Sequence, residues 1–418
     1  MLLFDILKIF NITMGILFLC LYSYQIIFLF ISLFSRPEKF TEAGRRRRFA
    51  FCIAARNEEA VIVQLLDSIR RQNYPSELID VYVVADNCND NTAAVSRDRG
   101  ACVFSRQNDK YIGKGYALSF LFDRIGELVG HEHYDGYFIV DADNILDKNY
   151  VLEMNKCANV GHRIIMCYRN SKNYGDNWLS AGYSLWFMRA SRQLNLPRQR
   201  LRLSCEVTGT GFYVCSEIIK KNGGWPYHCL VEDIEFSHAS VLSGERIAFC
   251  YDAIVYDEQP TDLAQSVRQR KRWCRGYFEI MKRYGARLFL SFFRCRGFSN
   301  YDMIMNLSVA LFISVISFAI NLILGIVILL LDFSYLLPLL RLFAIAFIAS
   351  YLLMLILGVL SGVCEWRRIH AKRYKIILYF FTFPLFIFSF LPIAFAAMLS
   401  GAGWEPVEHH PTDTERFN

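Results

Sequence analysis

The sequence has no Cys-x-x-Cys pair although it holds 13 cysteines, and neither these nor its histidines fall at metal-ligand spacing. That excludes a zinc module of the usual kind. No Gly-x-Gly-x-x-Gly follows the first β-rich run. Ala55-Arg56-Asn57-Glu58 occupies that loop, so the dinucleotide-binding fingerprint is missing. Gly113-Lys114 imitates the end of a phosphate-binding P-loop but fails it, because Asn108 and Gly115 stand where the motif needs Gly and Ser or Thr. The net charge of +7 is modest and local, and no nucleic-acid motif accompanies it, so nucleic acid is not an expected partner. Most cysteines lie inside apolar runs, as at Cys52, Cys102 and Cys167, and read as small buried side chains in a reducing compartment. His131, His133, His409 and His410 read as surface residues.

Charge is also missing from four long stretches of a chain that is 54% hydrophobic and 20% charged. Residues 12–34 carry none, and of residues 305–331, 337–360 and 376–400 only the second holds a charge, Arg341, while Pro384 and Pro392 interrupt the third. Each reaches the roughly 20 residues that a membrane-spanning helix needs. The first lacks a basic region before it and a small-residue cleavage site after it, so it reads as a retained anchor. It runs into Arg45, Arg46, Arg47 and Arg48, which by the cytoplasmic bias of Lys and Arg puts residues 45–300 in the cytoplasm. Two further crossings return the basic loop of Arg367, Arg368, Lys372, Arg373 and Lys375 to the same side. The chain divides into an anchor over 1–36, a catalytic domain over 45–260, an interfacial basic region over 261–300, C-terminal spans over 301–402 and a tail over 403–418. A multi-pass protein of the cell membrane is expected, with membrane lipid as a partner.

From Phe49 to about Val140, β-rich runs alternate with helical patterns: FAFCIAA, DVYVVAD, ACVFSR and YFIVDAD, each followed by a helix. Strands separated by helices imply an α/β fold with a mostly parallel, Rossmann-like sheet, whose ligand sits at the carboxyl ends of the strands. Those ends are acidic and amide-rich: Asn57-Glu58, Asp86 through Thr92, and Asp141-Ala142-Asp143-Asn144. Asp and Asn also make turns and cap helices, but three successive loops of one character on one edge favour a site. Asp141 and Asp143, two residues apart at a strand end, can face one hard cation, Mg²⁺ or Mn²⁺, that binds a diphosphate. Farther on, Ser204–Gly211 forms a glycine-containing turn, and Glu232 and Asp233 open a helix. There a carboxylate either complements the helix dipole or serves as a general base. A basic helical run from about Thr261 to Tyr284 contains Gln269-Arg270-Lys271-Arg272-Trp273, with Arg268, Lys282 and Arg283 expected on a membrane-surface face.

Taken in order, AxNE, DxxxxDxT, GKGxAL, DAD, TGTG, VED and QRKRW, flanked by hydrophobic helices, resemble the family-two glycosyltransferases of GT-A fold. Within them the set is similar to the membrane-embedded branch of cellulose, hyaluronan and poly-N-acetylglucosamine synthases. The resemblance implies a nucleotide-sugar donor, with UDP the expected nucleotide, and a glycan or lipid-linked acceptor. It implies inverting transfer, either repeated on one acceptor, as in polymer synthases and favoured by QRKRW, or made once on a lipid-linked or short glycan. It assigns Glu58 and Asp86 to the nucleoside, Lys114 to the uridine or phosphate region, Asp141 and Asp143 to phosphates and metal, and Asp233 to the base. Gln269 and Arg272 fall to the donor diphosphate, and Trp273 to the acceptor. Gly209 and Thr210 are expected to wall the acceptor site. Two departures are Val231 where the family carries Thr and Ala55 where it often carries Pro. The rival expectation is an inactive transferase-like subunit of a polysaccharide-export complex, which would have lost its charged residues at these positions.

Overall fold

The computed structural model describes residues 2–41, 44–293, 297–399 and 411. Eight strands form one sheet: β1 (Phe49–Ala55), β2 (Ile79–Asp86), β3 (Cys102–Arg106), β4 (Gly136–Asp141), β5 (Ile145–Leu146), β6 (Ile164–Ser171), β7 (Phe212–Cys215) and β8 (Ile247–Asp257). Their spatial order is β3-β2-β1-β4-β7-β6-β8-β5. The β3-β2-β1-β4 half is parallel throughout, as is β6 beside β8, whereas β7 runs against both its neighbours and β5 against β8. The continuous apolar runs of β1 and β4 follow from burial on both faces, since helices cover each side of the sheet. Phe49, Phe51, Phe138 and Tyr150 pack there with no exposed surface. Cys102 departs from expectation: β3 is an edge strand, and the thiol is exposed where Cys52 and Cys167 are buried.

Among the described residues, four helices are long and apolar enough to cross a membrane: Leu2–Tyr22, Ala310–Leu331, Phe333–Cys364 and Arg373–Leu399. Their outer faces leave Leu322, Ile323, Leu330, Phe343 and Ile345 exposed, an apolar surface suited to lipid. Asn11 and Asn321 exchange two amide hydrogen bonds of 2.8 Å between the first and second of these helices.

The first apolar stretch differs from the single span expected over 12–34. The spanning helix begins at Leu2, the chain turns at Ser23, and Tyr24–Phe34 forms a separate helix. Two hydroxyls fix the break, Tyr22 donating to the Met305 carbonyl and Tyr24 to Asp302, each at 2.9 Å. Phe28 and Ser32 of the second helix are buried against protein. Apolarity records removal from water, and here protein removes what lipid was expected to remove.

The basic loop after the third span lies on the catalytic-domain side. Glu365, buried, accepts hydrogen bonds from Tyr168 at 3.0 Å and Tyr251 at 2.7 Å, Arg368 stacks on both rings, and Lys375 donates to the Gly175 carbonyl at 2.6 Å. Helix Trp178–Arg189, started by an Asn177 capping box, wedges between the sheet and the last span, so Leu179, Tyr183 and Phe187 pack with Phe380, Phe383 and Phe386. Helix Leu263–Phe292 carries the basic run, and part of that run is internal. Arg270 is fully buried against Phe386 and Ser389, and Arg283, expected on a membrane face, pairs with the buried Glu235. The tail expected over 403–418, with His409 and His410, lies outside the described residues apart from Pro411.

Candidate active site

The loops after β1 and β2 turn through Asn57 (φ +56°) and Asn87 (φ +53°), left-handed positions that Asn tolerates better than most residues. Both side chains lace the edge together. Asn57 Oδ1 accepts from the Asn89 amide at 2.8 Å, and Asn87 Oδ1 from the Asn108 amide at 2.7 Å. Thr92 Oγ1 accepts from the Glu58 amide at 2.8 Å, which sets Glu58 on the sheet edge. Asp86 is 5% exposed and ion-paired with Arg106. Burial raises its carboxyl and Arg106 draws it back.

After β4 the Asp141 amide donates to Thr210 Oγ1 at 2.8 Å. Lys114, at the start of helix Lys114–Val129, pairs with Asp141, donates to the Gly209 carbonyl at 2.8 Å and lies 3.6 Å from Glu232. Burial alone would lower the Lys114 pKa, but Asp141 and Glu232 outweigh it, so the ammonium stays charged. Gly209 (φ +90°) and Gly211 (φ +71°) let the 208–211 turn pass under β6, where a Cβ would come within 2.8 Å of Arg169 Nη1 and 2.5 Å of Cys167 Sγ. Thr210, expected at the acceptor, is fully buried, and its hydroxyl is committed to the Asp141 turn and Asn144.

Asp143 is buried and accepts from Asn144 Nδ2 and from the Glu258 amide, each at 3.2 Å. Beside it Arg169 and Asp257 form a buried ion pair, with Nε donating at 2.8 Å, and Arg169 lies over the Phe187 ring at 3.6 Å. The described residues include no group of three or more acidic, His or Cys side chains placed around one point. A Mg²⁺ or Mn²⁺ ion commonly takes one or two carboxylates from protein and the rest of its shell from phosphate and water. Asp141 keeps 31% of its side chain accessible, and Asp143, buried, is oriented by Asn144 and the Glu258 amide.

Glu232 and Asp233 open helix Glu232–Leu242, both nearly buried. Burial raises both carboxyls above the usual range. Lys114 opposes the rise at each, and Asp233 adds to it at Glu232. Arg272 is half-buried, close enough to favour the charged form of Glu232, and forms no ion pair among the described residues. Trp273 meets Tyr183 edge-on at 5.7 Å, and the Gln269 Oε1 is buried without a hydrogen-bond partner among the described residues. The structure therefore gathers Lys114, Asp141, Glu232 and Asp233, and sets Asp143 and Arg272 beside them. Reading the sequence missed Arg106, Arg169, Asp257 and Glu206. Arg169 and Asp257 end β6 and β8, so a complete strand assignment past Val140 would have pointed to them.

The description "Glycosyltransferase like family 2" matches residues 46–276. A protein of Bacillus subtilis named "Probable glycosyltransferase YdaM" is 26% identical over 260 residues, 57% of each chain. The beta-monoglucosyldiacylglycerol synthase of Trichormus variabilis is 24% identical over 257 residues, 59% of this chain and 53% of that one. The chain thus matches about half the length of these relatives. In overall shape it is similar to the mannosyltransferase PcManGT of Pyrobaculum calidifontis, solved with GDP-Man and Mn²⁺, with a TM-score of 0.57 over 94% of this chain and 99% of that one at 14% identity. The strand-end carboxylates, the acidic start of helix Glu232–Leu242 and the matched span agree, and the chain belongs to the glycosyltransferase-like family 2, with a GT-A fold.

Proposed function

We propose that the protein transfers a sugar, with inversion, from a UDP-sugar to a hydroxyl carried by a membrane lipid, once per acceptor. The observation that carries this reading is the position of Lys114, whose ammonium joins Asp141 on the donor side to Glu232 and Asp233 on the acceptor side. Asp141 and Asp143 would hold the divalent ion, which supplies charge neutralisation at the diphosphate. Glu58 and Asp86 border the nucleoside, Asp86 through its Arg106 partner, and Gln269 lies toward the donor. Asp233 accepts the proton of the attacking hydroxyl. The sugar–phosphate bond breaks as the new bond forms on the opposite face, so an α-linked donor gives a β-linked product. Arg272, without an ion-pair partner among the described residues, neutralises the departing nucleoside diphosphate, and Trp273 borders the acceptor.

The lipid acceptor is supported by the similarity to the beta-monoglucosyldiacylglycerol synthases and by the packing of Leu263–Phe292 on helix Phe390–Leu399 of the last span. The catalytic domain belongs on the cytoplasmic face, because Arg45–Arg48 and the loop of Arg367 and Arg368 lie on its side of the spans. The test is nucleotide release by detergent-purified protein with Mn²⁺ or Mg²⁺ across a panel of UDP- and GDP-sugars, with diacylglycerol vesicles as acceptor and products sized. A single glycolipid product from a UDP-sugar is expected. A ladder of growing products would establish repeated transfer, and turnover with a GDP-sugar alone would reassign the donor.

A further inference from the structure

Two π-helical segments, Ala190–Asn195 and Met305–Val309, occur among the described residues, and both direct an asparagine to Glu206. Asn195 clamps the backbone of Glu206, donating to its carbonyl and accepting from its amide, each at 3.2 Å. Asn306 donates to the Glu206 carboxylate at 3.1 Å. Such insertions cost helix regularity and often mark functional sites. Glu206 stands two residues before the Thr208–Gly211 turn that supports Lys114, and Asp233 is near enough to favour its protonated form. Burial raises the Glu206 carboxyl to about 7, and the residue as a whole is only partly buried. Tyr277 packs against the cluster of Val231, Ile234 and Leu307, which flanks both Asp233 and Asn306. Its hydroxyl makes no hydrogen bond among the described residues, and Glu206 and Asp233 add to the rise that burial gives it.

We infer that Glu206 and Tyr277 form an acceptor subsite that holds the neutral, hydroxyl-bearing headgroup of a membrane lipid beside Asp233. The inference rests on the lipid-acceptor reading above and narrows it. Among the described residues the Glu206 carboxylate has one hydrogen-bond donor, Asn306, and the Tyr277 hydroxyl has no partner. Hydroxyls of a glycerol or sugar headgroup satisfy both. A phosphate does not fit, because Glu206, Glu232 and Asp233 would repel it. The nearby cations are already committed: Arg198 to Asp302 at 2.6 Å, Arg169 to Asp257, Lys114 to Asp141. Arg272 faces the donor. The bilayer is at hand, since Asn306 precedes the span Ala310–Leu331, and the adjacent Leu307 packs with Val231, Ile234 and Ile280, with Trp273 and Tyr277 at the edge of the cluster.

The test uses the full chain in lipid nanodiscs with the nucleotide sugar selected by the panel above, offering diacylglycerol or a polyprenyl phosphate. Diacylglycerol is expected to be glycosylated and polyprenyl phosphate not. Glu206→Gln should raise the acceptor KM at least tenfold while the donor KM moves less than threefold, and Glu206→Asp should recover part of the loss. Tyr277→Phe, which deletes one oxygen, should shift the acceptor KM in the same direction and answers the question if the Glu206 variant fails to fold. Transfer to diacylglycerol with unchanged acceptor KM in these variants, or a preference for polyprenyl phosphate, overturns the subsite alone. Donor hydrolysis with transfer to neither lipid overturns the lipid-acceptor reading, and the subsite with it.

Discussion

The Lys114 ammonium lies 3.6 Å from a Glu232 carboxylate oxygen and donates to the Gly209 carbonyl at 2.8 Å. One cation thus ties together the Asp141 turn, the glycine turn and the start of helix Glu232–Leu242, and favours the charged forms of both Glu232 and Asp233. Replacing it by Met should lower kcat/KM roughly 100-fold, as expected when a preorganised charge is lost. The direction of the pH effect is the sharper readout. Without Lys114 the two carboxyls rise further, so the acidic limb of the kcat/KM profile should move to higher pH. An unmoved limb would separate Lys114 from the base.

Asp233→Asn should reduce kcat about 10³-fold, within the range that general-base catalysis contributes. Binding of UDP with Mn²⁺, followed by calorimetry, should change little, since the proposed reaction uses Asp233 on the acceptor hydroxyl. The comparison variant Glu232→Gln should retain more activity, because that carboxylate neighbours Lys114 and takes no proton in the proposed reaction. A larger loss in Glu232→Gln would exchange the two roles.

Much of this site could be read from the sequence because strand-end loops in an α/β sheet are short and fixed by turn chemistry. Glu58, Asp86, Asp141 and Asp143 all fall on the edge where the alternation of strands and helices placed them. What stayed hidden depends on long-range packing. Arg106 reaches back to Asp86 from the neighbouring strand, and Arg169 meets Asp257 only because β6 and β8 run side by side, a pairing that no local pattern encodes. Thr210 was placed at the acceptor from the flexibility of its turn, yet the two glycines bury its hydroxyl beneath Asp141. The break at Ser23 was illegible for another reason, because its cause is Tyr24 meeting Asp302, 278 residues away in the chain.

Arg169 is expected to carry stability as well as shape. Arg169→Met would leave Asp257 buried beside Asp143 with only Gln259 and Asn144 as donors. Breaking a buried pair from one side costs about 3–5 kcal/mol, because the remaining charge is uncompensated. A thermal melt in detergent should show the loss, and the double variant Arg169→Met with Asp257→Asn should recover part of it. Equal melts for the single and double variants would mean that the Asp257 charge is not what destabilises the protein.

Glu206 gives a prediction with a defined sign. Its carboxyl is raised by burial to about 7 in the folded protein, with Asp302 and Asp233 adding to the rise and Arg198 and Asn306 opposing it. The unfolded value is about 4.3. Between those values the folded state holds the proton more tightly than the unfolded state, so the contribution is fully present below about 4.3 and is lost as pH rises through about 7. Glu206→Gln removes the titration. Its melting temperature should therefore gain on wild type as pH rises across that window and hold the gain above it, roughly 2–4 °C for each kcal/mol recovered. Titrations away from Glu206 are common to the two proteins, so the difference reports this carboxyl together with the Asp302 and Asp233 that interact with it. A difference that stays flat from pH 4 to 8 would mean that folding does not raise the Glu206 carboxyl.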